Sequence, residues 1–210
     1  FAAVVLVAVK PQMMADALPT LQAMGNGETL FVSVAAGTTI CYFESVLGGD
    51  TPIVRAMPNT PAAISKGITA IVGNAKAGSR SLDEAETLLS AVGEVVRLTE
   101  EAQIDAVTGV SGSGPAYVFH MIECMAAAGV AQGLPEELAM QLAKATVAGA
   151  GALAMQAEED PAQLRVNVTS PNGTTQAALE VLMDEAEGFP PLLKRAVAAA
   201  ADRSRELANG

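Results

Sequence analysis

The first nine residues, FAAVVLVAV, contain no polar side chain. A run this uniformly apolar cannot alternate between a wet and a dry face, so it fits the middle of a parallel sheet covered on both sides. Lys10 and Pro11 close it long before the roughly 20 apolar residues that a membrane span needs. A central strand needs neighbours on both sides. A chain whose first residue already lies in one is expected to have sequence upstream.

Beyond Pro11 helical and strand signals alternate. Residues 13–24 read as a helix stopped by Gly25, Asn26 and Gly27, and residues 29–34 as a strand. Residues 38–47 read as a helix stopped by Gly48 and Gly49. Further strands are expected at 53–57, 68–72 and 94–98. An amphipathic helix at 82–92 falls between the last two, with Ser81 as its N-cap and Asp83 and Glu84 in its first turn. Strands alternating with helices imply a doubly wound, mostly parallel sheet.

After about Glu100 the strand signals vanish. Helices are expected at 101–108, 115–131, 135–156, 161–168, 174–186 and 191–207, with Pro115 and Pro135 in first turns, where a missing N–H costs nothing. The organisation expected is an α/β domain over 1–100 and an all-α domain over 101–210. Half the residues are hydrophobic but only 3% are aromatic, so the core must be built from Ala, Val, Leu, Ile and Met. Residues 143–154 are almost all small, and a helix apolar on most faces must be buried on most faces. Six such helices carry more apolar surface than one chain can cover, so a homodimer or larger homo-oligomer is expected.

A net charge of -11 would be repelled by a phosphate backbone, which argues against a nucleic-acid partner. Cys41 and Cys124 form no C-x-x-C and read as buried or half-buried packing thiols in a reducing compartment. His120, the only histidine, lies in an apolar helical run and has no partners for a metal site. No segment reads as a membrane span or a signal peptide, so no membrane partner and a cytoplasmic location are expected.

Three regions could carry chemistry. Residues 167–176, NVTSPNGTTQ, lead into an apolar helix. Free N–H groups and the positive end of the helix dipole meet there, which suits a carboxylate or phosphate. An ordinary Ser/Thr/Asn capping turn reads the same way. Residues 107–117, VTGVSGSGPAY, hold glycines that could admit an anion or let two helices pack tightly. They do not form the dinucleotide fingerprint G-x-G-x-x-G, because Tyr117 stands where the third glycine would fall. Lastly, residues 8–11, 34–37 and 55–61 end three successive strands, and ligands of open α/β sheets bind beyond such ends. The absence of a Ser–His or Cys–His pair suits a reaction whose hard chemistry belongs to a cofactor.

Taken in order, A-V-K-P at 8–11, S-V-A-A-G at 33–37, R-A-M-P-N-T-P at 55–61, D-A-V-T-G-V-S-G-S-G-P-A-Y at 105–117 and N-V-T-S-P-N-G-T-T at 167–175 resemble the pyrroline-5-carboxylate reductase family. The resemblance runs along the whole chain. It implies a Rossmann-like dinucleotide-binding domain, here truncated because the family's glycine-rich fingerprint lies upstream, followed by a helical dimerisation domain. It further implies reduction of 1-pyrroline-5-carboxylate to L-proline, the last step of proline biosynthesis, with NADPH or NADH.

By the same resemblance, Ala8, Val9, Lys10, Pro11, Val34, Ala35 and Ala36 line the cofactor groove, and Asn167 reaches both nicotinamide and substrate. Ser170, Gly173, Thr174 and Thr175 hold the substrate carboxylate. The Thr175 hydroxyl touches the ring nitrogen and is the expected catalytic group, and Glu101 aligns with an acid near the substrate pocket. Two alternatives stand beside this. β-Hydroxyacid and 6-phosphogluconate dehydrogenases share a glycine stretch like Gly109, Gly112 and Gly114, but Val118 and Met121 occupy the places of their catalytic Lys and Asn. A non-catalytic dimer that senses a small carboxylate is the other.

Overall fold

The computed structural model describes residues 3–209; Phe1 and Ala2, the head of the expected first strand, lie outside the described residues. Five strands form one sheet in sequence order: β1 (Val4–Val7), β2 (Leu30–Ser33), β3 (Ile53–Met57), β4 (Gly67–Gly73) and β5 (Gly93–Arg97). β1, β2 and β3 run parallel, β4 returns antiparallel to β3, and β5 runs parallel to β4. The mostly parallel α/β reading is borne out.

Residues of β2, β3 and β4 alternate between two dry faces, whereas β1 lies at the edge of the described sheet with Leu6 exposed, and is not the covered central strand expected. Phe31 and Ile53 join Met14, Leu18, Phe43, Leu47 and Ile104 on one side. Leu30, Val32, Val54, Ala56 and Ile71 join Ala77, Ala85 and Leu89 on the other. Each fully buried large apolar side chain contributes about 1.5–3 kcal/mol, which is why the strands read as unbroken apolar runs. The first face is covered by α2 (Ile40–Leu47), whose buried residues Ile40, Phe43 and Leu47 recur at helical spacing. The second is covered by α3 (Ser79–Leu89), which buries Ala85 and Leu89.

Several local expectations are corrected. The helix expected at 13–24 is α-helical only at α1 (Met14–Ala17), and Leu18–Met24 winds as a 3-10 helix. Pro19 has no N–H to donate to Ala15, and its ring crowds an α-helical turn. α3 begins at Ser79 behind Gly78, so Ser81 lies inside the helix and does not cap it. The preceding turn is already tied at Asn74, whose Oδ1 accepts from the N–H groups of Lys76 at 3.2 Å and Ala77 at 2.9 Å. Both cysteines are exposed. Cys41 sits one residue round α2 from the buried Ile40 and therefore faces away from the sheet.

By compactness the chain divides into two units, residues 1–115 with 196–210, and residues 116–195. The first unit includes α4 (Gln103–Val107), a π-helical turn (Thr108–Gly112) and the C-terminal part of α9 (Phe189–Asn209). Ser204 on α9 donates to Asp105 Oδ1 at 2.6 Å. A Cβ on Gly109 would lie 2.7 Å from the Val197 carbonyl oxygen. One on Gly112 would meet Met57 Cε at 2.6 Å. Of the two readings of this glycine stretch, close packing is the one observed.

The second unit is carried by α5 (Gly114–Ala131), α6 (Glu136–Gln156), α7 (Pro161–Asn167) and α8 (Thr174–Leu182). Pro135 is the N-cap of α6 and not its first helical residue. Its core cluster comprises Ala126, Ala139 and Ala143, with Ile122 and Met140 packed against them. Larger apolar side chains stay outside: Phe119 is 58% exposed, Leu142 48%, Leu153 55% and Met155 70%. α6 is also long and apolar enough to cross a membrane by length and composition, against the expectation that no segment is. Its single cation, Lys144, does not outweigh the Ala, Val, Leu and Met around it.

Candidate active site

In the first unit the strand register sets three loops side by side. Val7 pairs with Ser33, and Ser33 with Arg55, so the carboxyl ends of β1, β2 and β3 are adjacent. Val34 prolongs the ladder by donating to the Val7 carbonyl at 3.1 Å. Beyond the strand ends Ala8, Lys10, Pro11 and Ala36 are exposed, and Val9 and Val34 are half-buried. Ala35 is buried, and its N–H donates to Ser33 Oγ at 3.3 Å. Gly37 comes next with φ +73°, a conformation that a side chain would strain, and Leu207 of α9 lies behind it.

The residues at 8–11 and 34–37 include no carboxylate and one cation, Lys10. Small side chains and a lysine at the carboxyl edge of a parallel sheet fit a dinucleotide with its phosphates.

In the third segment two side chains, Asn59 and Arg55, hold the scaffold. Asn59 Oδ1 accepts the Ile68 N–H at 3.0 Å and ties the return into β4. Arg55 is buried beneath the strand ends and forms an ion pair with Glu101 at 2.6 Å. The same Glu101 oxygen accepts the Ile40 N–H, at the start of α2, at 2.9 Å. Sequence reading singles out Glu101 and misses Arg55. The missed signal is a lone cation inside the apolar strand IVRAM, since a charge in such a place requires a partner.

The second unit holds the other expected residues. Asn167 ends α7, exposed, with its Oδ1 accepting from Gln163 Nε2 at 2.8 Å. The chain then turns through Ser170 and Asn172 into α8. Asn172 takes φ +57°, a left-handed conformation that Asn tolerates better than most residues. Its N–H donates to Gln176 Oε1 at 2.7 Å, and the Gly173 N–H to the Ser170 carbonyl at 3.0 Å. Gly173 is the N-cap of α8, and no side chain caps the helix. A Cβ on Gly173 would stand 2.3 Å from Ser170 Oγ. Only glycine therefore leaves that hydroxyl beside the helix start. Ser170 and Thr174 are exposed and Thr175 is half-buried.

An α-helix start leaves N–H groups without intrahelical partners and carries a partial positive charge, so an anion is favoured there. Ser170 Oγ lies beside that start, and Thr175 is the second residue of the helix. In the turn after α8, the N–H groups of Glu187 and Ala186 hold the Asp184 carboxyl below its ordinary value of 3.8. Asp184 is thereby engaged in its own turn. The expected residues thus form two sets, the strand ends with Glu101 in one unit and 167–175 in the other. His120 lies exposed on α5, 3.1 Å from Glu123 Oε2 and 3.6 Å from Cys124 Sγ, so the Cys–His pair that the sequence reading excludes does occur, one helical turn apart. No group of residues suited to a metal ion occurs among the described residues.

Comparison with known proteins places the chain. The family model for pyrroline-5-carboxylate reductase dimerisation matches residues 101–207. The pyrroline-5-carboxylate reductase of Pseudomonas aeruginosa is 46% identical over 205 residues, covering 98% of this chain and 74% of the relative. That of Synechocystis is 47% identical over 204 residues, covering 97% and 74%. Among solved structures, a pyrroline-5-carboxylate reductase from Coxiella burnetii superposes with a TM-score of 0.93 at 38% identity, covering 98% of this chain and 76% of the other. The Plasmodium falciparum pyrroline carboxylate reductase with NADP bound gives 0.86 at 29% identity, covering 98% and 77%. This chain belongs to the pyrroline-5-carboxylate reductase family.

Proposed function

We propose that this protein reduces 1-pyrroline-5-carboxylate to L-proline with NADPH or NADH, as a cytoplasmic homodimer or larger homo-oligomer. The observation that carries the reading is the start of α8, exposed and uncapped, in a turn that keeps the family's motif intact. The Thr174 and Thr175 N–H groups and the Ser170 hydroxyl bind the substrate carboxylate, with Gly173 leaving room for them. The Thr175 hydroxyl hydrogen-bonds the ring nitrogen. Asn167 faces the nicotinamide side, and the loops at 8–11 and 34–36 cradle the dinucleotide.

The cofactor, when bound, supplies the hydride. The imine is most electrophilic when protonated, so the protein needs no strong general acid of its own. Its task is orientation, which can lower a barrier by about 7–11 kcal/mol. Holding the carboxylate at a helix start selects the ring face that is presented. The exposed apolar side chains of α5 and α6 support assembly, because burial against a second copy is the natural outlet for surface that one chain leaves in water.

Nicotinamide oxidation on adding pyrroline-5-carboxylate tests the activity. Thr175→Ala is expected to lower kcat/KM by about ten- to a hundredfold, the worth of one hydrogen bond to a charged group, with an unchanged circular dichroism spectrum. An unchanged rate removes Thr175 from the mechanism.

A further inference from the structure

We propose that Arg55 and Glu101 are positioning residues for the cofactor loop, and that Glu101 does not act on the substrate. The inference rests on the reading that residues 34–36 face the dinucleotide.

Residues 34–39 join β2 to α2, and both ends of this link are held. At the β2 end the Val34 N–H bonds the Val7 carbonyl at 3.1 Å. At the α2 end one carboxylate oxygen of Glu101 accepts the Ile40 N–H at 2.9 Å and Arg55 Nη1 at 2.6 Å. Thr39 supplies an ordinary N-cap to Tyr42 at 3.3 Å, so Glu101 is a second acceptor at the same helix start. There a negative charge meets the positive end of the helix dipole. The Arg55 side chain is 6% exposed and that of Glu101 30%. The ion pair therefore ties the α2 start to the interior of the sheet.

One Glu101 oxygen accepts at once from a buried strand side chain and from a helix-start amide. It is well placed to hold a backbone. Removing it leaves Arg55 as an uncompensated buried charge and frees the Ile40 N–H at the end of the loop.

The test compares Glu101→Ala and Glu101→Gln with the wild-type protein. NADPH affinity is measured by fluorescence titration without imine. Amide hydrogen exchange over residues 34–40 is measured on cofactor-free protein, and KM is determined for each reactant. Glu101→Ala is expected to weaken NADPH binding by about tenfold or more, the loss of a charge-assisted hydrogen bond, and to speed exchange at Ile40. The rise in KM should fall on the cofactor and not on the imine. Glu101→Gln keeps an oxygen that can accept from both donors but leaves the Arg55 charge unbalanced, so its exchange rate and affinity should fall between those of wild type and Glu101→Ala. A raised imine KM in either variant, with NADPH binding and exchange unchanged, overturns the proposal. So does loss of NADPH affinity in Glu101→Gln while Ile40 stays protected. If wild-type protein binds NADPH but turns over no imine, the proposed activity fails, while titration and exchange still decide the role of Glu101.

Discussion

Gly173 illustrates how one residue sets a site by what it lacks. Its φ of -86° is open to any amino acid, so conformational freedom is not the reason for glycine there. The reason is space, because a Cβ would collide with Ser170 Oγ. Gly173→Ala is therefore expected to displace the Ser170 hydroxyl, raise KM for the imine by about tenfold and leave the cofactor KM near its wild-type value. Steady-state kinetics with each reactant varied in turn checks this. Arg55 makes the complementary point. Its partner lies 46 residues away, so its position in an apolar strand signals that a partner exists without saying which.

Among elements, the π-helical turn and α9 form a contact that leaves no room for added volume. Gly109 meets the Val197 backbone, which cannot swing aside as a side chain would. Gly109→Ala should push α9 from its seat and cost about 1–3 kcal/mol of stability, read as a lower denaturation midpoint. The loss of the Ser204 to Asp105 hydrogen bond should accompany it, since α4, which holds Asp105, runs directly into the π-helical turn. The 3-10 winding of Leu18–Met24 belongs to this scale too. Apolar spacing alone suggests a continuous α-helix, and Pro19, visible in the sequence, is the dissenting residue.

At the scale of the whole molecule, the two units differ most in how they bury apolar surface. The first buries two full clusters on either face of its sheet, whereas the cluster of the second is built on three alanines. The exposure of Leu153 and Met155 on α6 supports the proposed assembly. Leu153→Glu is expected to convert the assembly to single chains, or to weaken association by at least about tenfold, the effect of placing one charge in a desolvated interface. Sedimentation velocity over a range of concentrations measures it. The apolar length of α6, which meets the dimensions of a membrane span, has the same explanation if the face packs on a second copy.

Strand positions, the change from alternating to all-helical order near residue 100, and the turn that opens α8 were all legible in the residues, because each rests on interactions between near neighbours. Periodicity, Gly and Pro stops, and an uncapped helix start are local properties of a chain. The antiparallel return of β4, the outward aim of Cys41, the packing of Gly109 on Val197 and the grip of Glu101 on Arg55 and the Ile40 amide were not legible there. Those depend on which distant segments meet, and only the closing of the chain around the sheet decides that.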